Sequence, residues 1–245
     1  MSLPATLLHP RGLLDWAERA VESGAVLTAA SEGYPLRWFE AFGDLAPPAL
    51  WREGTPPSLP WVGAVGSREI APEVSDFMAE VGRRTMGLGR GIVSGGAIGC
   101  DAAAERAALH GGGAVLRILP HGLRHRAIDD GAVHLALAAP DEPFTRALAM
   151  ERNALIYAAA DATVVGHIRL RQGGTWHGAS DALRRRLGRL LVRCDGSPAE
   201  RALRALGAEG IGDPAELADR LTQGASQRNL FAYERRRQSV FARRD

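Results

Sequence analysis

The sequence contains no lysine, so all 30 of its cationic side chains are arginine, set against 28 aspartates and glutamates. Without lysine there is no Walker-type phosphate loop, which removes the usual ATPase reading. Richness in Ala, Gly and Leu beside this bias fits a GC-rich genome. The physical consequence holds whatever the cause, because arginine meets phosphate bidentately and stacks on bases. The formal net charge is only +2, which excludes a histone-like polycation and makes any anion site local. Cysteine is nearly absent. Cys100 and Cys194 are the two present, with no Cys-x-x-Cys, so neither a disulfide framework nor a cysteine-based zinc site is expected. No apolar run approaches the ~18 residues of a membrane span. The opening Met1-Ser2-Leu3-Pro4-Ala5 lacks the cationic-then-apolar pattern of a signal peptide, so a cytoplasmic location is expected.

What is present is a chain of 245 residues, 46% hydrophobic, enough to bury a core without staples. It divides into three parts. Residues 1–59 read as a helical extension, from the spacing of Leu7, Leu13, Leu14, Trp16, Ala17 and Val21, followed by a Pro-rich lead-in. Residues 60–223 alternate short apolar runs with helical patterns. Residues 224–245 form a tail with six arginines against two acids, interleaved with Phe231, Tyr233 and Phe241. Such a tail suits a nucleic-acid backbone, and equally a solvated arm.

In the middle part, strands are expected at Trp61–Val65, Gly91–Ser94, Ala114–Leu119, Asp161–Ile168 and Arg189–Cys194. Helices are expected at Pro72–Leu88, Cys100–His110, Ala147–Ala160, Ala179–Leu187, Pro198–Leu206 and Pro214–Leu221. The alternation predicts an α/β fold, an extended Rossmann-like parallel sheet with helices on both faces. Ligands in such folds bind where strand C-termini meet helix N-termini, so the segments after the strands carry the functional argument.

Gly66-Ser67-Arg68 follows the first strand of this series. The glycine permits a sharp turn, and Ser67 with Arg68 offers donors to an anion. An ordinary βα turn with a solvated arginine has the same residues. After the second strand, Ser94-Gly95-Gly96-Ala97-Ile98-Gly99-Cys100-Asp101 runs into an Ala-rich helix, and free N–H groups pointing outward from such a loop would cradle phosphate. It is not the dinucleotide fingerprint, and Asp101 reads as a helix N-cap. Gly173-Gly174-Thr175 is a second cradle of this kind, beside a Trp176 that either stacks on a base or covers the sheet, and a lone His177 that suggests no metal. Arg152-Asn153 opens an apolar helix, where Arg152 meets the same anion or pairs with Glu151 or Asp161. Topology sends these loops to one crevice.

Taken in order and spacing, Val65-Gly66-Ser67-Arg68, Val93 through Ala104, Arg152-Asn153 and Gly173-Gly174-Thr175 resemble the DprA/Smf DNA-processing family. Gly33-Tyr34-Pro35 and the stretch Leu45 through Trp51 with Gly54 are similar to that family's approach to its first Rossmann strand. The resemblance spans roughly residues 30–223 and implies a cytoplasmic, homodimeric protein that binds single-stranded DNA. It implies protection of that strand and help in loading a RecA-type recombinase during transformation or recombination, with no catalytic residue, cofactor or metal. Carried onto this chain, Gly66, Ser67 and Arg68 form one wall of the DNA pocket. Ser94, Gly95, Gly96, Ala97, Gly99 and Asp101 form another, and Arg152 with Asn153 a third. Gly173, Gly174 and Thr175 complete the phosphate-binding set.

The departures are Ile98 and Ala154 where the family commonly has arginine, Gly166-His167 near an expected carboxylate, and no winged-helix segment after the Rossmann-like part. The alternative is a nucleotide-ligand binding protein or phosphoribohydrolase-like enzyme of the same superfamily. Against hydrolysis, Gly173–Leu183 offers His177 and Asp181 but no glutamate.

Overall fold

The computed structural model describes residues 24–125 and 131–225. The helical spacing between Leu7 and Val21 and the Arg-rich stretch after residue 225 lie outside the described residues. The elements in chain order are β1 (Val26–Thr28), α1 (Arg37–Phe42), β2 (Ala49–Glu53), β3 (Trp61–Val65), α2 (Pro72–Gly87), β4 (Gly91–Ser94), α3 (Cys100–His110), β5 (Val115–Leu119) and β6 (Val133–Ala136). They continue with α4 (Arg146–Ala159), β7 (Ala160–Val165), α5 (Gly173–Arg185), β8 (Arg189–Arg193), α6 (Pro198–Ala205), β9 (Glu209–Ile211) and α7 (Leu217–Ala225).

One nine-stranded sheet runs β1-β2-β6-β5-β4-β3-β7-β8-β9. From β6 to β9 every neighbouring pair is parallel. The expectation of a purely parallel sheet is corrected at one edge, where β2 pairs antiparallel with both β6 and β1. Residues 26–53 therefore supply strands to the same sheet as well as the short helix α1, where the composition suggested only helix and Pro-rich lead-in. Tyr34 and Trp38 fix this segment. Their rings meet edge to face at 5.1 Å, the Tyr34 hydroxyl donates to Pro47 O at 2.6 Å, and the Trp38 indole N–H donates to Leu155 O of α4 at 2.9 Å.

Side chains alternate across the strands, and the two faces bury separate cores. Val62, Ala64, Ile92 and Leu191 face α2, α3 and α7, against Val74, Met78, Ala104 and Leu217. Val65, Val93, Leu116 and Leu190 face α1, α4, α5 and α6, against Trp38, Ile156, Trp176 and Leu203. The chain climbs from β3 through β4 and β5 to β6, then returns to β7 on the other flank of β3. At the C-terminal end of β3 the flanking connections diverge to opposite faces, which opens the crevice where ligands of such sheets bind. No helix among the described residues is long and apolar enough to cross a membrane.

Candidate functional site

The loops expected to converge are joined by direct hydrogen bonds. The Ser67 N–H, just past β3, donates to His167 O, just past β7, at 2.9 Å. Thr175 Oγ1, in the first turn of α5, donates to Gly66 O at 2.9 Å, and the Cys100 N–H at the head of α3 donates to Ser67 O at 3.2 Å. Gly99 caps α3 at φ +86°, and a Cβ there would lie 2.3 Å from Ser67 O and 2.4 Å from Arg68 O. Only glycine lets these two loops meet so closely while taking that backbone conformation.

The loop from Ser94 to Gly99 differs from its sequence reading. Its N–H groups at Gly95, Gly96 and Ala97 do not face outward for a ligand. Gly95 N–H donates to Asp101 Oδ2 at 3.1 Å, Ala97 N–H also donates to the Asp101 carboxyl, and Gly96 N–H donates to Ser94 Oγ at 3.3 Å. Nor is Asp101 the cap of α3, because Gly99 holds that position and Asp101 sits inside the first turn, 4% exposed. It folds the loop back on its own helix. Burial, and then the neighbouring Glu105 charge, push its carboxyl up to about 7, against the opposing pull of Arg152 and the loop amides.

Beneath the loop lies a buried polar chain that sequence reasoning missed. The Ser94 hydroxyl hydrogen-bonds the Glu105 carboxylate, which accepts from Arg117 Nε at 2.8 Å, and Arg117 Nη1 lies 3.4 Å from His134 Nε2. One signal was available, an arginine inside the apolar run Val115-Leu116-Arg117-Ile118-Leu119 of a strand covered on both faces. A charge there requires a buried partner.

Arg152 lies flat against the glycine loop, so that a Cβ on Gly95 would sit 1.6 Å from Arg152 Nη1. Its Nε is buried with no hydrogen-bond partner. Burial lowers its pKa, the Asp101 charge acts against that, and the nearby Arg68 cation adds to the lowering. Arg68 is exposed and has no hydrogen-bonding or ion-pair partner among the described residues. Asp161, one of the partners considered for Arg152, is taken instead by Arg37 at 3.1 Å and by Arg90. Asn153 turns away toward α5, where a Cβ on Gly178 would meet its Nδ2 at 3.1 Å.

Open amides are found at the head of α5 instead. That helix starts at Gly173, not at Ala179 as expected, and both Gly173 and Gly174 are exposed with free space around them. Their N–H groups have no acceptor among the described residues, as the first turn of a helix leaves them. Trp176 is 8% exposed and belongs to the core, so it covers the sheet and does not stack on a base. His177 is exposed, and Ile98 stands 69% exposed at the tip of the glycine loop. Among the described residues no group of three or more His, Cys, Asp or Glu is placed to hold a metal.

The sequence profile of the family described as DNA recombination-mediator protein A matches residues 25–206. The chain belongs to that family. DNA processing protein A (DprA) from Streptococcus pneumoniae superposes with a TM-score of 0.67 at 22% identity, covering 86% of this chain and 82% of its own. DNA processing protein A from Helicobacter pylori, described for a unique single-stranded DNA binding mode, has a TM-score of 0.67 at 21% identity, over 81% of this chain and 96% of its own. The molybdenum cofactor carrier protein of Chlamydomonas reinhardtii shares the fold more distantly, with a TM-score of 0.55 at 19% identity over 69% of this chain and 99% of its own. No curated protein sequence matches this chain.

Proposed function

We propose that the crevice above β3 binds single-stranded DNA and performs no chemistry on it. The observation that carries this reading is the pairing of two guanidinium groups, with Arg68 near enough to disfavour the charge on Arg152 and neither bonded to a carboxylate among the described residues. A phosphate between them relieves that repulsion and fills the vacant Arg152 Nε, while the open amides of Gly173 and Gly174 offer a neighbouring anion site. Contacts to the backbone alone give affinity with little dependence on sequence. Gly66, Ser67, Ser94, Gly95, Gly96, Ala97, Gly99 and Asp101 shape the crevice wall. Asn153 supports it through α5 and Thr175 by tying α5 to β3. Membership of the DprA family and the Helicobacter relative's binding of single strands support the reading. From the same membership we infer a homodimer that protects the strand and passes it to a RecA-type recombinase.

The test is fluorescence anisotropy of a labelled thymine oligomer against a duplex of the same length. Salt-sensitive preference for the single strand, weakened at least about tenfold by Arg68→Glu with unchanged circular dichroism, is the expected result. Equal binding of both nucleic acids, or of neither, overturns it. A second reading, a free nucleotide-like ligand, is favoured by the exposed Ile98 where the family commonly offers a cation. Under that reading a mononucleotide displaces the oligomer at comparable concentration.

A further inference from the structure

Beside the crevice, on the α2 side of the Ser67–His167 hydrogen bond, lies a second cleft of ≈ 540 Å³. That volume is within the range of small-molecule sites, about 300–1,000 Å³. It is lined by Glu69, Glu73, His167, Arg193 and Asp195 around an apolar floor that includes Ile70 and Val74. We infer that this cleft reads a base, and that the base it fits is a guanine presented by the bound strand. The inference rests on the crevice binding single-stranded DNA.

Three observations converge on it. The first is charge. Successive residues part at the wall, with Arg68 acting on Arg152 in the crevice and Glu69 lining the cleft. The cleft carries Glu69, Glu73 and Asp195 against Arg193, with Glu69 bridged to Arg169 at 2.7 Å. It therefore holds no surplus of cations for phosphate, and a strand whose backbone is held by Arg68 and Arg152 offers it a base.

The second is vacancy. Arg193 Nη1 and Asp195 Oδ2 stand 3.7 Å apart, beyond hydrogen-bond length, and both side chains are about four-fifths buried, 19% and 20% exposed. His167 Nδ1 is buried with no hydrogen-bond partner among the described residues. The Arg193 and Asp195 side chains are largely buried, yet their hydrogen-bonding capacity toward one another is unspent.

The third is geometry. The Arg193 guanidinium lies over the Phe77 ring at 5.7 Å, which holds its plane, and the Ser197 N–H donates to Asp195 Oδ1 at 2.9 Å, which holds the carboxylate. A held arginine fork matches the O6 and N7 acceptors of guanine. A held carboxylate matches the adjacent N1–H and N2–H donors of the same ring. Guanine presents two acceptors and two donors in adjacent pairs. Thymine brings one ring N–H, and adenine has no carbonyl for the fork.

The experiment uses the whole chain and thymine oligomers carrying one central dG, dA, dC or dT. The dG oligomer is expected to bind roughly tenfold tighter than the all-thymine strand, the scale of one good bidentate base contact. Replacing that guanine with hypoxanthine removes the N2 donors, and replacing it with 7-deazaguanine removes N7. Each forfeits part of the gain without touching the protein. Asp195→Asn removes the guanine preference and leaves the all-thymine affinity in place. Guanosine monophosphate displaces the dG oligomer only at far higher concentration, because it lacks the strand's crevice contacts. Equal affinity for all four oligomers overturns the guanine assignment while leaving the DNA crevice standing. Displacement by guanosine monophosphate at matching concentration overturns presentation by the strand. Failure of every oligomer to bind overturns both readings.

Discussion

Two glycine-rich loops open onto the same crevice, and they use glycine for opposite purposes. The loop before α3 is closed on itself. Asp101 and Ser94 take its amides, Glu105 and Arg117 brace it from below, and Gly99 lets it press against the carbonyls of Ser67 and Arg68. The turn that starts α5 is open. Gly173 and Gly174 touch nothing a side chain would disturb, and their amides are unclaimed among the described residues. In sequence the two look alike, a glycine cluster running into a helix. The difference lies in the residues just after the glycines. A buried acid in the first turn of α3 competes with any ligand for the loop amides, whereas the first turn of α5 carries Thr175, whose hydroxyl is spent on Gly66 O.

The contrast can be broken or sharpened by substitution. The largest effect is expected from Trp176→Ala, costing about 3–5 kcal/mol in urea unfolding because the indole is core beneath the open turn. A cost near zero would return Trp176 to the surface and to base stacking. Gly99→Ala comes next at about 3 kcal/mol, since it adds strain at positive φ to a clash with two backbone carbonyls. A neutral outcome there would mean the closed loop has room to spare.

Asp101→Asn tests the closure itself through pH. The folded protein holds the Asp101 proton up to about 7, while in the unfolded chain the ordinary value is 3.8. Between those values the folded state binds more protons, so stability falls as pH rises through the window. The asparagine variant keeps an acceptor for the Gly95 amide and should lose less stability than the wild type between pH 5 and pH 7.5. Parallel loss in both would place the titrating group elsewhere. The smallest effect is expected from Gly174→Ala, within about 0.5 kcal/mol, because the site is open and helical.

Much of this was legible in the sequence where periodicity and spacing act alone. Gly91–Ser94 and Cys100–His110 fall where the pattern placed them, and the convergence of three loops followed from topology. The strands that escaped notice, β1, β2, β6 and β9, are three to five residues long and carry polar residues such as Arg52, Glu53 and His134, too little for an alternation to register. The start of α5 was hidden because Gly173-Gly174 reads as a break, while tertiary contact through Thr175 holds the turn helical. The closed state of the Ser94–Gly99 loop was hidden for a different reason. An aspartate just inside a helix looks the same whether it caps the helix or folds a loop onto it, and only burial distinguishes the two.

The central claim is that Arg68 and Arg152, neither paired with a carboxylate among the described residues, hold the phosphates of a single strand. Its most direct test is the dependence of oligomer affinity on salt, measured for the wild type and for Arg152→Gln. Each lost phosphate contact reduces the slope of log affinity against log salt by about 0.7 for single strands. The account predicts a shallower slope for the variant by about that amount, together with weaker binding. Weaker binding with an unchanged slope would mean that Arg152 only braces the glycine loop and that the phosphates lie elsewhere.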